Sequence, residues 1–551
     1  MTHDFRDSLR RRIESSALLY NVDASVATIE VTREEKFGDL TTNAAMVWGR
    51  ELKRNPRELA AELLTQWNFP DEFFEEATVA GPSFINLRLK KNTFAEIMHS
   101  ILESEIPFGH LAKGEHTKKW LIEFVSANPT GPLNIVSART AAVGDALARI
   151  IESQGNLADR EFYVNDAGNQ VRLFGESVVA RIKQEQGEAA EIPEGGYQGN
   201  YVIELAKRAM QAGIDTHDTQ EVGQWAIEQI VVSQKIILHK YRVDFQNWFH
   251  ESELHGDDKV NTAFNELKEL GYVYEKDGAQ WLQSTAHGID DKDRVIITSA
   301  GNPTYVMADI AYHLEKYRRG YDCSVNFLGP DHHGTIARLM AALKMLGIPD
   351  GWHEIKLIQQ VNLLRNGEAV KMSKRAGEIV TLDDLLEELG DNATAVDVAR
   401  YFFLQRKVTT PLDFDLDLAK KQSEENPAFY VQYAYARICS ILRQPGAEEF
   451  LNELWNPTFI ALLQESETRT VIRKFMEYPL VLERCVEAVD PNALPTYLTE
   501  LAATFHKFYH HHRVLGQERE LTIARVCLLR AVKNVLADGL GLLGITAPEQ
   551  M

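Results

Sequence analysis

The stretch Lys119-Trp120-Leu121-Ile122-Glu123-Phe124-Val125-Ser126-Ala127-Asn128-Pro129-Thr130-Gly131-Pro132-Leu133-Asn134-Ile135-Val136-Ser137-Ala138-Arg139-Thr140-Ala141-Ala142 decides the fold. Lys119 to Val125 reads as a strand. Pro129, Gly131 and Pro132 then break any regular element. Ser137 reads as the N-cap of an alanine-rich helix running on to Leu147. Strand, turn and helix start, in that order, open a nucleotide-binding α/β unit, because unsatisfied N–H groups and the positive end of the helix dipole meet at the turn.

Working outward, Arg294 to Ile297, Ser324 to Leu328 and Ile355 to Ile358 are further strand candidates, and their alternation with helices predicts a parallel sheet. A charged, glycine-punctuated stretch from Lys183 to Tyr201 reads as an insertion or solvated loop. Upstream, Asp7 to Tyr20 and Pro56 to Trp67 have helical spacing, whereas Ala27 to Val31 and Phe84 to Arg88 alternate like strands. They predict a small α+β domain over 1–114. After Asp391 strand signals almost vanish. Ala399–Phe403, Pro427–Arg443, Pro495–Arg513 and Thr522–Leu543 are helical by spacing, with Pro427 and Pro495 suited to a first turn. The fold class is therefore α/β: a Rossmann-like sheet domain over 115–390 with an insertion at about 171–293, the small α+β domain before it, and an all-α bundle over 391–551 packed through Leu498, Leu501, Phe505 and Phe508.

A chain of 551 residues exceeds a single core, and its hydrophobic content of 44% is that of an ordinary globular protein. The four cysteines are scattered, which argues against a zinc ribbon or disulfide framework and for a reducing compartment, the cytoplasm. The N-terminus is polar rather than signal-like, and no apolar run approaches membrane-spanning length. The net charge of −21 leaves room for local basic stripes, so it opposes a nucleic-acid partner only weakly.

A second basic segment carries chemistry. Lys371-Met372-Ser373-Lys374-Arg375 sets three cations between Gly367 and Gly377, suited to a phosphate chain whose charge rises in the transition state. Read alone it is also compatible with a solvated basic turn. Tyr305 and Asp309 are one helical turn apart and can share a pocket. His332-His333 lacks a third metal ligand at a usual spacing, which favours a nucleotide-bordering loop over a metal site. His510-His511-His512 reads as a polar helix face near nucleic acid.

The KMSKR string is the signature of class I aminoacyl-tRNA synthetases, and Glu123 to Leu133 resembles the arginyl-tRNA synthetase form of their first signature region. The resemblance extends through Phe37-Gly38-Asp39-Leu40-Thr41-Thr42-Asn43, Phe162-Tyr163-Val164-Asn165-Asp166-Ala167-Gly168-Asn169-Gln170, Leu412-Asp413-Phe414-Asp415, Tyr430-Val431-Gln432-Tyr433-Ala434 and Leu543-Gly544-Ile545-Thr546-Ala547-Pro548. It implies an arginine–tRNA ligase that uses ATP with Mg2+, has no structural zinc and acts as a monomer. Glu123, Asp309 and Tyr305 would face the substrate guanidinium, which seeks planar carboxylates, while Asn128 and His332 would also contact arginine. Pro129, Gly131, Asn134, Ser137, Gly329, Asp331, Met372 and Lys374 would bind ATP. Lys374 would stabilise the pyrophosphate, supported by Lys371 and Ser373. The resemblance further implies that tRNA is needed for the activation step, that the N-terminal domain touches the tRNA elbow, and that the bundle reads the anticodon, with Tyr430, Tyr433, Tyr435 and Arg437 as candidate readers.

One departure stands out. The family pattern His-x-Gly-His is here Asn134-Ile135-Val136-Ser137. Asn134 and Ser137 can still donate to phosphate, but Val136 fills space that glycine leaves empty. Losing one transition-state donor costs about 2–4 kcal/mol. Two readings follow: an active ligase with a substituted clamp, or a non-catalytic tRNA-binding paralogue. The joint presence of KMSKR, Glu123, Asn128, Tyr305 and Asp309 favours the first.

Overall fold

The structure is a computed structural model that describes residues 5–287, 292–330, 333–370, 380–390 and 392–551. At its centre lies a five-stranded parallel sheet formed by β1 (Lys119–Glu123), β2 (Leu157–Val164), β3 (Asn247–His250), β4 (Cys323–Leu328) and β5 (His353–Leu357), in the order β5-β4-β1-β2-β3. The chain builds outward from β1 in one direction and returns to its other side with β4. The carboxyl ends of β1 and β4 therefore flank the switch point, where open α/β sheets bind ligands. Glu123 at the end of β1 is paired in register with Asn326 of β4.

The helix after β1, α1 (Ile135–Ser153), is buried on nearly all sides, which its alanines permit. Gly144 matters here: a Cβ at this position would lie 2.2 Å from the Phe124 ring, so only glycine lets Phe124 pack flat on the helix. Three helices follow β2: α2 (Asn169–Glu185), α3 (Asn200–Ala212) and α4 (Thr219–Lys240). The first and third pack closely because a Cβ on Gly175 would stand 1.8 Å from the Thr219 carbonyl oxygen.

The expected small α+β domain forms, with a four-stranded antiparallel sheet over Ile29–Val31, Leu40–Thr42, Phe84–Leu89 and Phe74–Ala80 and helices at Phe5–Tyr20 and Pro56–Trp67. The C-terminal region is helical as expected: α6 (Pro427–Leu442), α7 (Ser466–Ala488), α8 (Ala493–His511) and α9 (Arg519–Leu542) follow α5 (Tyr305–Arg318) of the sheet domain. Leu498, Leu501, Phe505 and Phe508 are buried between them. Arg473 of α7 ties the bundle to the N-terminal domain by donating to Asp39, Gly38 O (3.0 Å) and Thr32 O (2.9 Å).

Several expectations need correction. Arg294–Ile297 is a strand, but it pairs antiparallel with Ala279–Leu282 in a separate three-stranded sheet. The span anticipated as an insertion contains β3, an edge strand of the central sheet. The region read as all-α contains one strand, Leu412–Asp415, which pairs parallel with Val361–Arg365. The helix α7 carries Pro479 in its interior, which hid it from pattern reading.

Candidate active site

A cavity of about 1100 Å³ opens at the switch point. Asn128, Gly131, Asn134, Val136 and Ser137 line it from the β1–α1 turn, Tyr305 and Asp309 from α5, and Gly329 from the end of β4. Pro129 is buried within the turn without lining the cavity. Asp331, His332, Lys371, Met372, Ser373 and Lys374 lie outside the described residues. The described chain beyond the basic segment does touch the first signature turn. Where the described chain resumes after the basic segment, Leu382 N donates to Leu133 O at 2.8 Å and Thr381 forms an antiparallel bridge with Asn134.

The helix start differs from the reading in which Ser137 is the N-cap. Asn134 is extended, and its side-chain oxygen accepts from Ser137 N at 2.9 Å and lies 3.3 Å from Ser137 Oγ. Asn134 is therefore the N-cap and Ser137 stands inside the first turn. Capping occupies the amide oxygen of Asn134 and aims its nitrogen elsewhere, so one side chain can both close the helix and offer a donor. Val136 lines the cavity, and its carbonyl accepts from Thr140 Oγ1 at 2.8 Å within α1.

Glu123, expected to face the substrate guanidinium, ends β1. It lies beneath the cavity, buried, rather than among the lining residues. Lys316 of α5, itself fully buried, forms an ion pair with it and donates to Asn326 Oδ1 at 2.8 Å. Ser126 Oγ donates to Glu123 at 2.9 Å, and the Tyr312 hydroxyl lies 3.0 Å from Glu123 and 2.6 Å from Glu161. Arg319 grips Glu161 through two nitrogens at 2.6 and 3.0 Å. Burial alone would raise the Glu123 carboxyl, but Lys316 and the surrounding donors outweigh it and hold the group below its ordinary range. Two carboxylates and two cations thus form a compensated buried network. Immediately after it, Val125 and Ser126 adopt positive φ of 68° and 38°, so the strand ends at Glu123 and turns sharply. A β-branched residue in that region is strained and needs its surroundings to hold it.

The α5 end of the cavity is acidic and aromatic. Tyr305 is largely exposed, and Asp309 projects a half-exposed carboxylate. His313 Nδ1 lies 2.8 Å from the Asp309 carbonyl oxygen and 3.2 Å from its carboxylate, while Asn326 Nδ2 stands 3.2 Å from Nε2. An amide N–H2 facing Nε2 requires that nitrogen to accept, so Nδ1 carries the proton. Two residues passed over in the sequence complete this end, Tyr163 at the end of β2 and Glu251 just after β3. Burial raises the Glu251 carboxyl, with Asp166 and Asp309 adding to the rise and the Tyr163 hydrogen bond opposing it. The nearby cation candidate, His255, stands 3.9 Å away. The signal that could have found both residues is positional: each sits at the carboxyl end of a parallel strand.

The stretch read as a solvated loop also contributes. Tyr197, Asn200 and Tyr201 form a wall of the cavity beside Gly131. Far from it in the bundle, Tyr430 and Tyr433 on α6 flank His506 at 5.0 and 6.0 Å, and the Arg437 guanidinium lies 5.3 Å from the Tyr509 ring. Tyr435, the fourth candidate reader, is buried.

Three comparisons bear on this geometry. Residues 3–89 match the arginyl tRNA synthetase N terminal domain, residues 98–400 the catalytic domain of class I (R) tRNA synthetases, and residues 431–551 the DALR anticodon binding domain. An arginine–tRNA ligase of Desulfitobacterium hafniense is 42% identical over 532 residues, covering 95% of this chain and 93% of its own. The chain belongs to the arginyl-tRNA synthetase family. An arginine–tRNA ligase of Carboxydothermus hydrogenoformans is 41% identical and covers 100% of this chain and 99% of its own. The fold is also that of Thermus thermophilus arginyl-tRNA synthetase, 21% identical, with a TM-score of 0.78 over 99% of this chain and 100% of that one.

Proposed function

We propose that the cavity at the β1–β4 switch point activates arginine with ATP and passes the arginyl group to the terminal ribose of tRNA. The chain is a ligase of the arginine–tRNA class. What carries the reading at the site is one juxtaposition: the chain leaving the KMSKR segment is bonded to Leu133 at the turn that opens α1, and Tyr305 and Asp309 face the same cavity. No comparison favours the non-catalytic alternative.

In this reading the substrate guanidinium lies between Asp309 and Glu251 with Tyr305 against it, and Asn128 holds the polar head. A cation there relieves the mutual repulsion of two carboxylates. Glu123, already paired with Lys316, stiffens the turn from below. ATP enters with Mg2+ along Gly131, Asn134 and Ser137, where the start of α1 favours negative charge. The arginine carboxylate oxygen attacks the α-phosphorus, the bond to the bridging oxygen breaks, and pyrophosphate leaves with its charge met by Lys374 and Lys371. The adenylate's acyl carbon is then attacked by the tRNA ribose hydroxyl, and AMP departs. Positioning and charge stabilisation carry both steps. Residues 1–114 would touch the tRNA elbow, 115–390 catalyse, and 391–551 read the anticodon through Tyr430, Tyr433 and Arg437. We take the chain to work as a cytoplasmic monomer; among the described residues no helix is long and apolar enough to cross a membrane.

The test is arginine-dependent ATP–pyrophosphate exchange with and without tRNA(Arg). Exchange that appears with tRNA is expected. Its absence while tRNA still binds would overturn the enzymatic reading in favour of a tRNA-binding paralogue.

A further inference from the structure

The turn that carries Asn128 and Gly131 is braced by side chains from outside it. Pro129 and Pro132 lack N–H groups. Beyond a weakly closed turn at Pro129 and Thr130, no well-formed backbone hydrogen bond among the described residues joins the segment from Ala127 to Pro132 to itself or to any neighbour. It also follows directly on the strained Val125–Ser126 pair. Three of its carbonyls, those of Asn128, Thr130 and Gly131, are met from outside by side chains of two helices inserted after β2. Tyr201, near the start of α3, donates its hydroxyl to Thr130 O at 2.7 Å. Gln234, buried in the middle of α4, donates Nε2 to Gly131 O at 3.0 Å and reaches Asn128 O at 3.4 Å.

Both side chains are held in place. The Tyr201 and Tyr197 rings lie against Phe174 of α2 at 6.5 and 5.0 Å, and Tyr197 N is bonded to Ser177 Oγ at 3.0 Å. The Tyr201 ring also covers Gly131, where a Cβ would stand 3.4 Å from its hydroxyl. Gln234 is held by its acceptors: Nε2 serves two carbonyls, and its buried Oε1 has no partner among the described residues. An amide that leaves its oxygen unmet in order to donate twice is oriented by the turn it serves.

We propose that Tyr201 and Gln234 are positioning residues for the activation step: they pin the Asn128–Gly131 turn from the inserted helices, Tyr201 at its nucleotide end and Gln234 across both ends. The proposal rests on the reading of the cavity given above. It assigns the inserted helices a task at the site and divides it between two residues, because Thr130 and Gly131 border the nucleotide side whereas Asn128 borders arginine.

The experiment is ATP–pyrophosphate exchange in the presence of tRNA, with KM for ATP and for arginine measured separately on the full chain, for wild type, Tyr201→Phe and Gln234→Leu. Wild-type exchange comes first, and its failure would count against the reading of the cavity rather than against the two positioning residues. With the wild type active, Tyr201→Phe should raise KM for ATP about five- to tenfold, the size of one lost hydrogen bond, and leave KM for arginine within about twofold. Gln234→Leu should raise both KM values by about the same factor. Thermal midpoints should move little, because cavity water can satisfy the released carbonyls. Unchanged KM values would overturn the proposal. So would a fall in kcat that tracks a lower thermal midpoint with no KM split, since that pattern marks a purely structural role. Should Gln234→Leu fail to fold, Tyr201→Phe, which keeps the ring and removes one oxygen, decides by itself.

Discussion

Replacing Lys316 by methionine tests the buried network beneath the cavity. Lys316 is fully buried and its ammonium serves Glu123 and Asn326 at once, with Glu161 3.9 Å away. Methionine keeps most of the volume and removes the charge, leaving Glu123 buried among neutral donors. Breaking one side of a buried pair costs about 3–5 kcal/mol. At about 2 °C per kcal/mol for a domain of this size, the catalytic unit should melt roughly 6–10 °C earlier near pH 8. The pH dependence makes the test sharper. In the wild type Glu123 is held below its ordinary range, so its contribution is fully present above the unfolded carboxyl value and is lost only as pH falls through the depressed one. In the variant burial loses its main opponent, Lys316, and the carboxyl moves up despite the Ser126 hydrogen bond; the penalty is then full at high pH and relieved as protonation sets in. The gap between the two proteins, read by scanning calorimetry, should therefore shrink from pH 8 toward pH 5. Combining Lys316→Met with Glu123→Gln should recover more than half of the loss at pH 8, because the buried charge is gone. A gap that stays constant or widens toward acid, or a double variant as unstable as the sum of its singles, would refute the compensated network.

Three further outcomes follow from the site. Asp309→Ala should lower kcat/KM for arginine by at least about a hundredfold, as expected for a lost charged contact of roughly 3 kcal/mol, with tRNA affinity nearly unchanged; equal loss of both would remove Asp309 from the arginine pocket. Glu251 is raised by burial, so arginine binding should weaken as pH falls from 8 to 5.5, the charged form being lost through the raised value. Glu251→Gln should bind arginine poorly throughout and lose that slope in equilibrium titrations, and a variant that keeps the slope would exclude Glu251 as its source. Val136→Gly should leave exchange activity intact or tighten ATP binding if the turn keeps the family geometry, whereas a collapse would show a site rebuilt around valine.

Much of this was legible in the chain itself. The β1–turn–α1 segment, the helical C-terminal third and the pairing of Tyr305 with Asp309 on one helix face all follow from local periodicity and turn chemistry. The choice of cap was not. Asn134 and Ser137 are both good N-caps, and the bridge between Asn134 and Thr381, far away in sequence, accompanies the extended conformation in which Asn134 leads the helix. Nor was the stretch from Lys183 to Tyr201, whose charges and glycines conceal two tyrosines that pack on Phe174.

By itself the sequence determined which chemical groups are present and in what local order: a nucleotide turn, a basic segment, and acids and aromatics spaced for one pocket. Which acid faces that pocket was decided only in three dimensions. Strand register sets Glu123 beside Asn326, and the twelfth residue of α5 reaches both with an ammonium, so the carboxylate at the strand end is neutralised from below. Glu251 arrives instead from the far edge of the sheet, with His255 standing 3.9 Å from it. Charge compensation in a buried site depends on distances between segments about two hundred residues apart, such as Glu123 and Lys316, and local pattern carries no record of them.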